Sequence, residues 1–68
     1  MIELTSGYTS SPNPKFLINP RHIIYVSPSS LQNPSYSGVN SYIEYFGGTE
    51  NQQVYVKETY EEIKELLK

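Results

Sequence analysis

Cysteine, aspartate and tryptophan are absent from this 68-residue chain, and histidine occurs once, as His22. Without cysteine there is no disulfide and no thiolate metal site. Without aspartate or cysteine, a single chain cannot assemble a Ser–His–Asp or Cys–His arrangement. His22 cannot hold zinc alone, and beside a turn it reads as a surface or backbone-bonded residue rather than a general base. The seven acidic residues are all glutamates. Glu61, Glu62 and Glu65 would be the nearest approach to a divalent-cation site, but on a short surface helix such a group reads as a solvated face. Gly47-Gly48 falls between two strand-like segments instead of ahead of a helix, so it is not a phosphate-cradling loop. The residues imply no cofactor and no metal, and the expectation is a protein that is not an enzyme.

Positive charge is sparse too. Lys15, Arg21, Lys57, Lys64 and Lys68 are scattered, and the net charge is -2 with a pI near 5.2. A chain that grips phosphates concentrates cations on one face, so nucleic acid is a disfavoured partner. The longest aliphatic or aromatic run, Ile23 to Val26, falls far short of the roughly 20 residues a membrane span needs. Met1-Ile-Glu-Leu-Thr5 has neither the basic nor the apolar region of a signal peptide, and Pro34 spoils the sequon at Asn33. A cytoplasmic location is expected.

At this length the chain forms one domain, 1–68, and buries only about 60% of its extended-chain surface. With disulfides and metals excluded, association with copies of itself or with another protein is the remaining stabilising device.

Met1 to Thr5 alternates apolar and polar residues, the period of a half-buried strand. Ser6 to Pro14 is turn material, and Lys15 to Ile18 is a short strand ended by Asn19-Pro20. Ile23-Ile-Tyr-Val26 is apolar on both faces and reads as a central strand covered on both sides. Ser27 to Val39 is a long polar connection, read as an extended hairpin tip without a role of its own in preference to a mobile functional loop, although Leu31 and Tyr36 within it could pack back or touch a partner. Asn40 to Phe46 and Gln52 to Lys57 form a hairpin about Gly47–Asn51. Thr59 then opens a helix with the capping box Thr-x-x-Glu, completed by Glu62. Tyr60, Ile63, Leu66 and Leu67 form the stripe that docks it. The fold class is α+β: a small antiparallel sheet or half-barrel of four to five strands followed by one C-terminal helix.

Seven tyrosines and two phenylalanines are unusual in 68 residues. If Ile43, Tyr45, Val54 and Val56 face the helix, Tyr42, Phe46 and Tyr55 share the other face, joined by one alternate pair of the Ile23–Val26 strand. A single helix cannot cover both sides of the sheet, so Tyr25, Tyr42, Phe46 and Tyr55 are the candidate partner-binding residues. The competing reading is a small barrel that buries these rings inside. A small RNA- or single-strand-binding regulator, stacking bases on the rings, is the alternative from another functional class.

Three segments carry a resemblance: Met1-Ile-Glu-Leu-Thr5, Phe16-Leu-Ile-Asn-Pro20 with Ile23, and Val56-Lys-Glu-Thr-Tyr-Glu-Glu-Ile63. Together they resemble the small FlbD-type flagellar and swarming-motility proteins over about half the chain. The resemblance implies an accessory role in a larger assembly and no catalytic residues. The chain departs from that pattern at Ser6–Pro14 and Ser27–Val39, and small phage or mobile-element proteins share its Ser/Asn/Tyr-rich character. A weaker resemblance, to CsrA-type RNA regulators, covers the strand series and final helix but lacks the basic residues beside the first strand.

Overall fold

The computed structural model describes residues 1–68 as five strands and one helix: β1 (Ile2–Thr5), β2 (Lys15–Ile18), β3 (Ile23–Pro28), β4 (Ser41–Phe46), β5 (Asn51–Val56) and α1 (Tyr60–Leu66). The class is α+β, but the strands form two antiparallel sheets, β1-β2 and β3-β4-β5, rather than one. A bridge between Ser6 and Val56 joins them. Beside it, Lys57 N–H donates to Thr5 O and Gly7 N–H to Tyr55 O, each at 2.8 Å. A path of hydrogen bonds therefore runs from β2 through β1 to β5, β4 and β3. No helix is long and apolar enough to cross a membrane.

Strand alternation puts the aliphatic side chains on the inner surface of this half-barrel. Ile2, Leu4, Ile18, Ile43, Val56 and Ile63 form the buried core, with Phe16, Ile23, Val26, Tyr45 and Val54 packed around it. Of the helical stripe, Ile63 alone is buried, whereas Leu66 and Leu67 are exposed. The helix spans only seven residues, about two turns, and a helix that short seats one side chain deeply.

β3 differs from the expected central strand. It is an edge of its sheet, and its register shifts between Ile23 and Tyr25. Ile23 pairs with Tyr45 and Tyr25 with Glu44, so Ile24 is the extra residue of a bulge. The bulge reconciles the run's two apolar faces. Ile23 and Val26 both turn inward, Tyr25 turns outward, and Ile24 is left 54% exposed. The bulge and Pro28, which has no N–H to offer, also blunt the open edge.

Both polar connections are built. Asn33 to Tyr36 closes a tight turn in which Asn33 Oδ1 accepts from Ser35 N–H at 2.8 Å and Tyr36 N–H at 3.1 Å. Thr9 N–H donates to Ser35 O and Ser37 N–H to Gly7 O, at 2.9 and 3.0 Å, so this turn is laced to the first loop. Gly7 permits that approach, since a Cβ there would lie 2.5 Å from Val39 Cγ2. The Ser27–Val39 connection is thus no bare hairpin tip: β3 runs on to Pro28, and Ser35–Ser37 pair with Gly7–Thr9.

Candidate functional site

On the outer surface of β3-β4-β5, Tyr42 lies opposite Tyr55 and Ser27, and Tyr25 opposite Glu44. Paired residues of antiparallel strands point to the same side, so these side chains share one face. Tyr42 and Tyr55 have ring centroids 5.3 Å apart, and Tyr25 lies 6.1 Å from Tyr42. The two laced loops extend the series. Tyr36 sits 5.3 Å from Tyr55, and Tyr8 sits 5.5 Å from Tyr36. Five rings thus stand in one row, Tyr8–Tyr36–Tyr55–Tyr42–Tyr25, each tilted 52–67° to the next.

Tilted and edge-to-face neighbours are the favoured arrangement of aromatic rings, at roughly 0.5–1.5 kcal/mol per pair beyond burial. The row holds its own shape. Its ends are open to solvent, with Tyr25 54% and Tyr8 45% exposed. Beside the central pair lies an open hollow of about 460 Å³ lined by Ser27, Pro28, Ser29, Tyr42, Gln53 and Tyr55. Partial burial among the rings, and then the negative charge of Glu44, push the Tyr42 phenol above its ordinary range.

Of the four candidate residues, Tyr25, Tyr42 and Tyr55 come together and Phe46 does not. Phe46 lies on the same side by alternation, opposite Asn51, but at the turn end of β4. There it lines a second hollow with Met1, Leu17, His22 and Tyr45. Tyr8 and Tyr36 are missing from the candidate set because loop residues carry no periodicity to reveal their facing; of the two, only Tyr36 is open, from the sequence, to packing back or touching a partner. The one available signal was Asn33-Pro34, a turn former that places Tyr36. The rings lie on the outside and the aliphatic residues inside, the reverse of a barrel with an aromatic interior.

Beyond the row, the charged side chains of the helix pair locally. Glu61 pairs with Lys64 at 3.2 Å and Glu65 with Lys68 at 3.1 Å, both in solvent. Thr59 and Glu62 form the expected box: Glu62 N–H donates to Thr59 Oγ1 at 3.1 Å, and Thr59 N–H to Glu62 Oε1 at 2.9 Å. That second bond lowers the Glu62 carboxyl below its ordinary value. No three acidic or histidine side chains converge as a metal cage would require. Comparison with family models, curated proteins and solved structures finds no match to this chain.

Proposed function

We propose that this chain is a non-enzymatic protein-interaction module, self-associating or docking on another protein, whose working surface is the tyrosine row. The observation that carries this reading is the continuity of the five rings across two strands and two loops. Tyrosine offers large, amphipathic contact area at low conformational cost, and serine, asparagine and glycine supply adaptable hydrogen bonding around it. The flanking loops, Ser6–Pro14 and Ser29–Val39, have that make-up. An accessory role of the FlbD type is compatible with this surface, and the segments behind that resemblance form strands, the helix cap and much of the core.

The nucleic-acid alternative gains the rings but has few cations, Arg21 and Lys57 being the two with neither an ion pair nor a side-chain hydrogen bond. Lys64 and Lys68 are paired with glutamates, and Lys15 donates to Thr5 Oγ1 at 3.0 Å. Each ring also presents an edge to its neighbour's face, which leaves less open face for base stacking. Light scattering of the pure protein, wild type against Tyr42→Ser/Tyr55→Ser, tests the self-association arm. The reading expects assembly by the wild type and its loss in the variant. A salt-sensitive mobility shift with single-stranded nucleic acid would favour the alternative.

A further inference from the structure

We propose that the tyrosine row is a site of one-electron oxidation, and that two such events join Tyr42 to Tyr55 through a dityrosine bond within one chain. The bond supplies the covalent staple that a 68-residue chain without cysteine otherwise lacks. It concerns the chain alone and holds whatever partner docks on the row.

Composition is the first support. Cysteine and tryptophan, the side chains that compete most readily with tyrosine for a one-electron oxidant, are absent, and the single methionine stands at position 1. Tyrosine is therefore the sink, and five of the seven stand in ring-to-ring contact. Access is the second. The ends of the row, Tyr25 and Tyr8, are exposed, whereas Tyr36, Tyr42 and Tyr55 are half-buried. An oxidant meets the ends first, and neighbours at 5.3–6.1 Å pass the electron deficit inward to the centre.

Geometry selects the pair. Tyr42 and Tyr55 are directly opposite in the β4–β5 ladder, so the strand register itself holds them side by side. Their ring centroids lie 5.3 Å apart at 52°, the smallest tilt in the row. Tyr36 is as near to Tyr55 but meets it edge-on at 67° and rides on a loop. A biaryl bond tolerates a twist between its rings, so the tilted pair needs only a small closing motion. Each phenol gives one electron to the oxidant and one proton to water or to the Glu44 carboxylate, which shares the face and lies opposite Tyr25. The two phenoxyl radicals then combine at the carbons ortho to their oxygens. Each coupled carbon sheds its hydrogen as the ring regains aromaticity, and each oxygen takes a proton back. In sum, two electrons and two protons leave and one carbon–carbon bond forms. Holding both radicals in place favours this pairing over encounter with a second molecule.

Photo-oxidation of the dilute full chain with a ruthenium(II) polypyridyl and persulfate tests this, read by dityrosine emission, intact mass and peptide mapping. The expected product is a monomer lighter by two hydrogens, in which the peptides carrying Tyr42 and Tyr55 are linked. Closing the loop between them should raise Tm by about 8 °C or more, through the constraint on the unfolded chain. Tyr42→Phe and Tyr55→Phe keep a ring in place and should each remove most of the emission. Tyr60→Phe, on the helix beneath Lys64, should leave it unchanged. A link mapped to another pair, or emission indifferent to the Tyr42 and Tyr55 variants, would overturn the assignment. Oxidation that yields only linked dimers, or only Met1 sulfoxide, would overturn the proposal as a whole. Either failure leaves the docking role of the row standing, because light scattering of the unoxidised chain tests that role separately.

Discussion

Glu58 clamps Thr5 from 53 residues further along the chain, Oε1 accepting from the Thr5 N–H at 2.8 Å and Oε2 from its hydroxyl at 2.9 Å. Around the same point, the buried Ser41 hydroxyl donates to Glu58 O at 2.7 Å, and Asn40 Nδ2 to Lys57 O at 2.8 Å. The clamp fastens the end of β1 to the strand–helix junction. The next rungs, Gly7 on Tyr55 and Ser37 on Gly7, carry Tyr8 and Tyr36 into line with Tyr55. The site on the outer face thus depends on hydrogen bonds at the seam between the two sheets.

Glu58→Ala is expected to leave the Thr5 N–H without its carboxylate partner in a half-buried position. The cost should be about 1 kcal/mol, at the low end for an unsatisfied donor because water can reach it. That corresponds to a fall in Tm of about 4–8 °C. Glu58→Gln, which keeps one acceptor oxygen, should fall between alanine and wild type in urea denaturation.

Gly7→Ala should destabilise the seam by about 1–3 kcal/mol through overpacking. The added methyl would meet Val39 Cγ2 at 2.5 Å, and Val39 is buried. Val39→Ala in the same chain should recover part of that loss, so a double-mutant cycle in urea should give a favourable coupling. Additive effects would show that Gly7 is needed for some other reason.

Ile63→Ala should cost about 2–4 kcal/mol, as expected for a fully buried aliphatic residue, and Leu66→Ala well under half of that. Thermal melts compare them directly. Equal losses would mean that the whole stripe is docked.

That contrast marks how far the sequence could be read. The capping residues, the strand spans and the shared facing of Tyr42 and Tyr55 follow from local chemistry and period-two alternation, and all are present. Which apolar residues a two-turn helix buries does not follow, because docking angle decides it. The edge position of β3 was hidden because Ile23–Val26 looks the same whether two faces are covered or one bulge rotates the chain. Tyr8 and Tyr36 were hidden for a different reason. Their placement comes from pairing between two aperiodic loops, held by Gly7 and Asn33, and such pairing has no signature along the chain.

The capping box gives a pH dependence with a defined sign. Glu62 is lowered in the folded state by the bond from Thr59 N–H. Its contribution to stability is therefore fully present above its ordinary, unfolded value and is lost as pH falls through the lowered folded value. Urea midpoints across the acidic range should drop more steeply for wild type than for Glu62→Gln. Parallel curves would remove Glu62 from the account of acid lability.

The most direct test of the tyrosine face is an amide chemical-shift map of labelled protein, recorded over a dilution series that takes it from associated to dissociated. The account predicts perturbations clustered at Tyr25, Tyr42, Gln53 and Tyr55, spreading to Tyr8 and Tyr36 in the loops. Perturbations confined to Met1, Leu17, Phe46 and Gly47 around the second hollow, or none across the series, would contradict it.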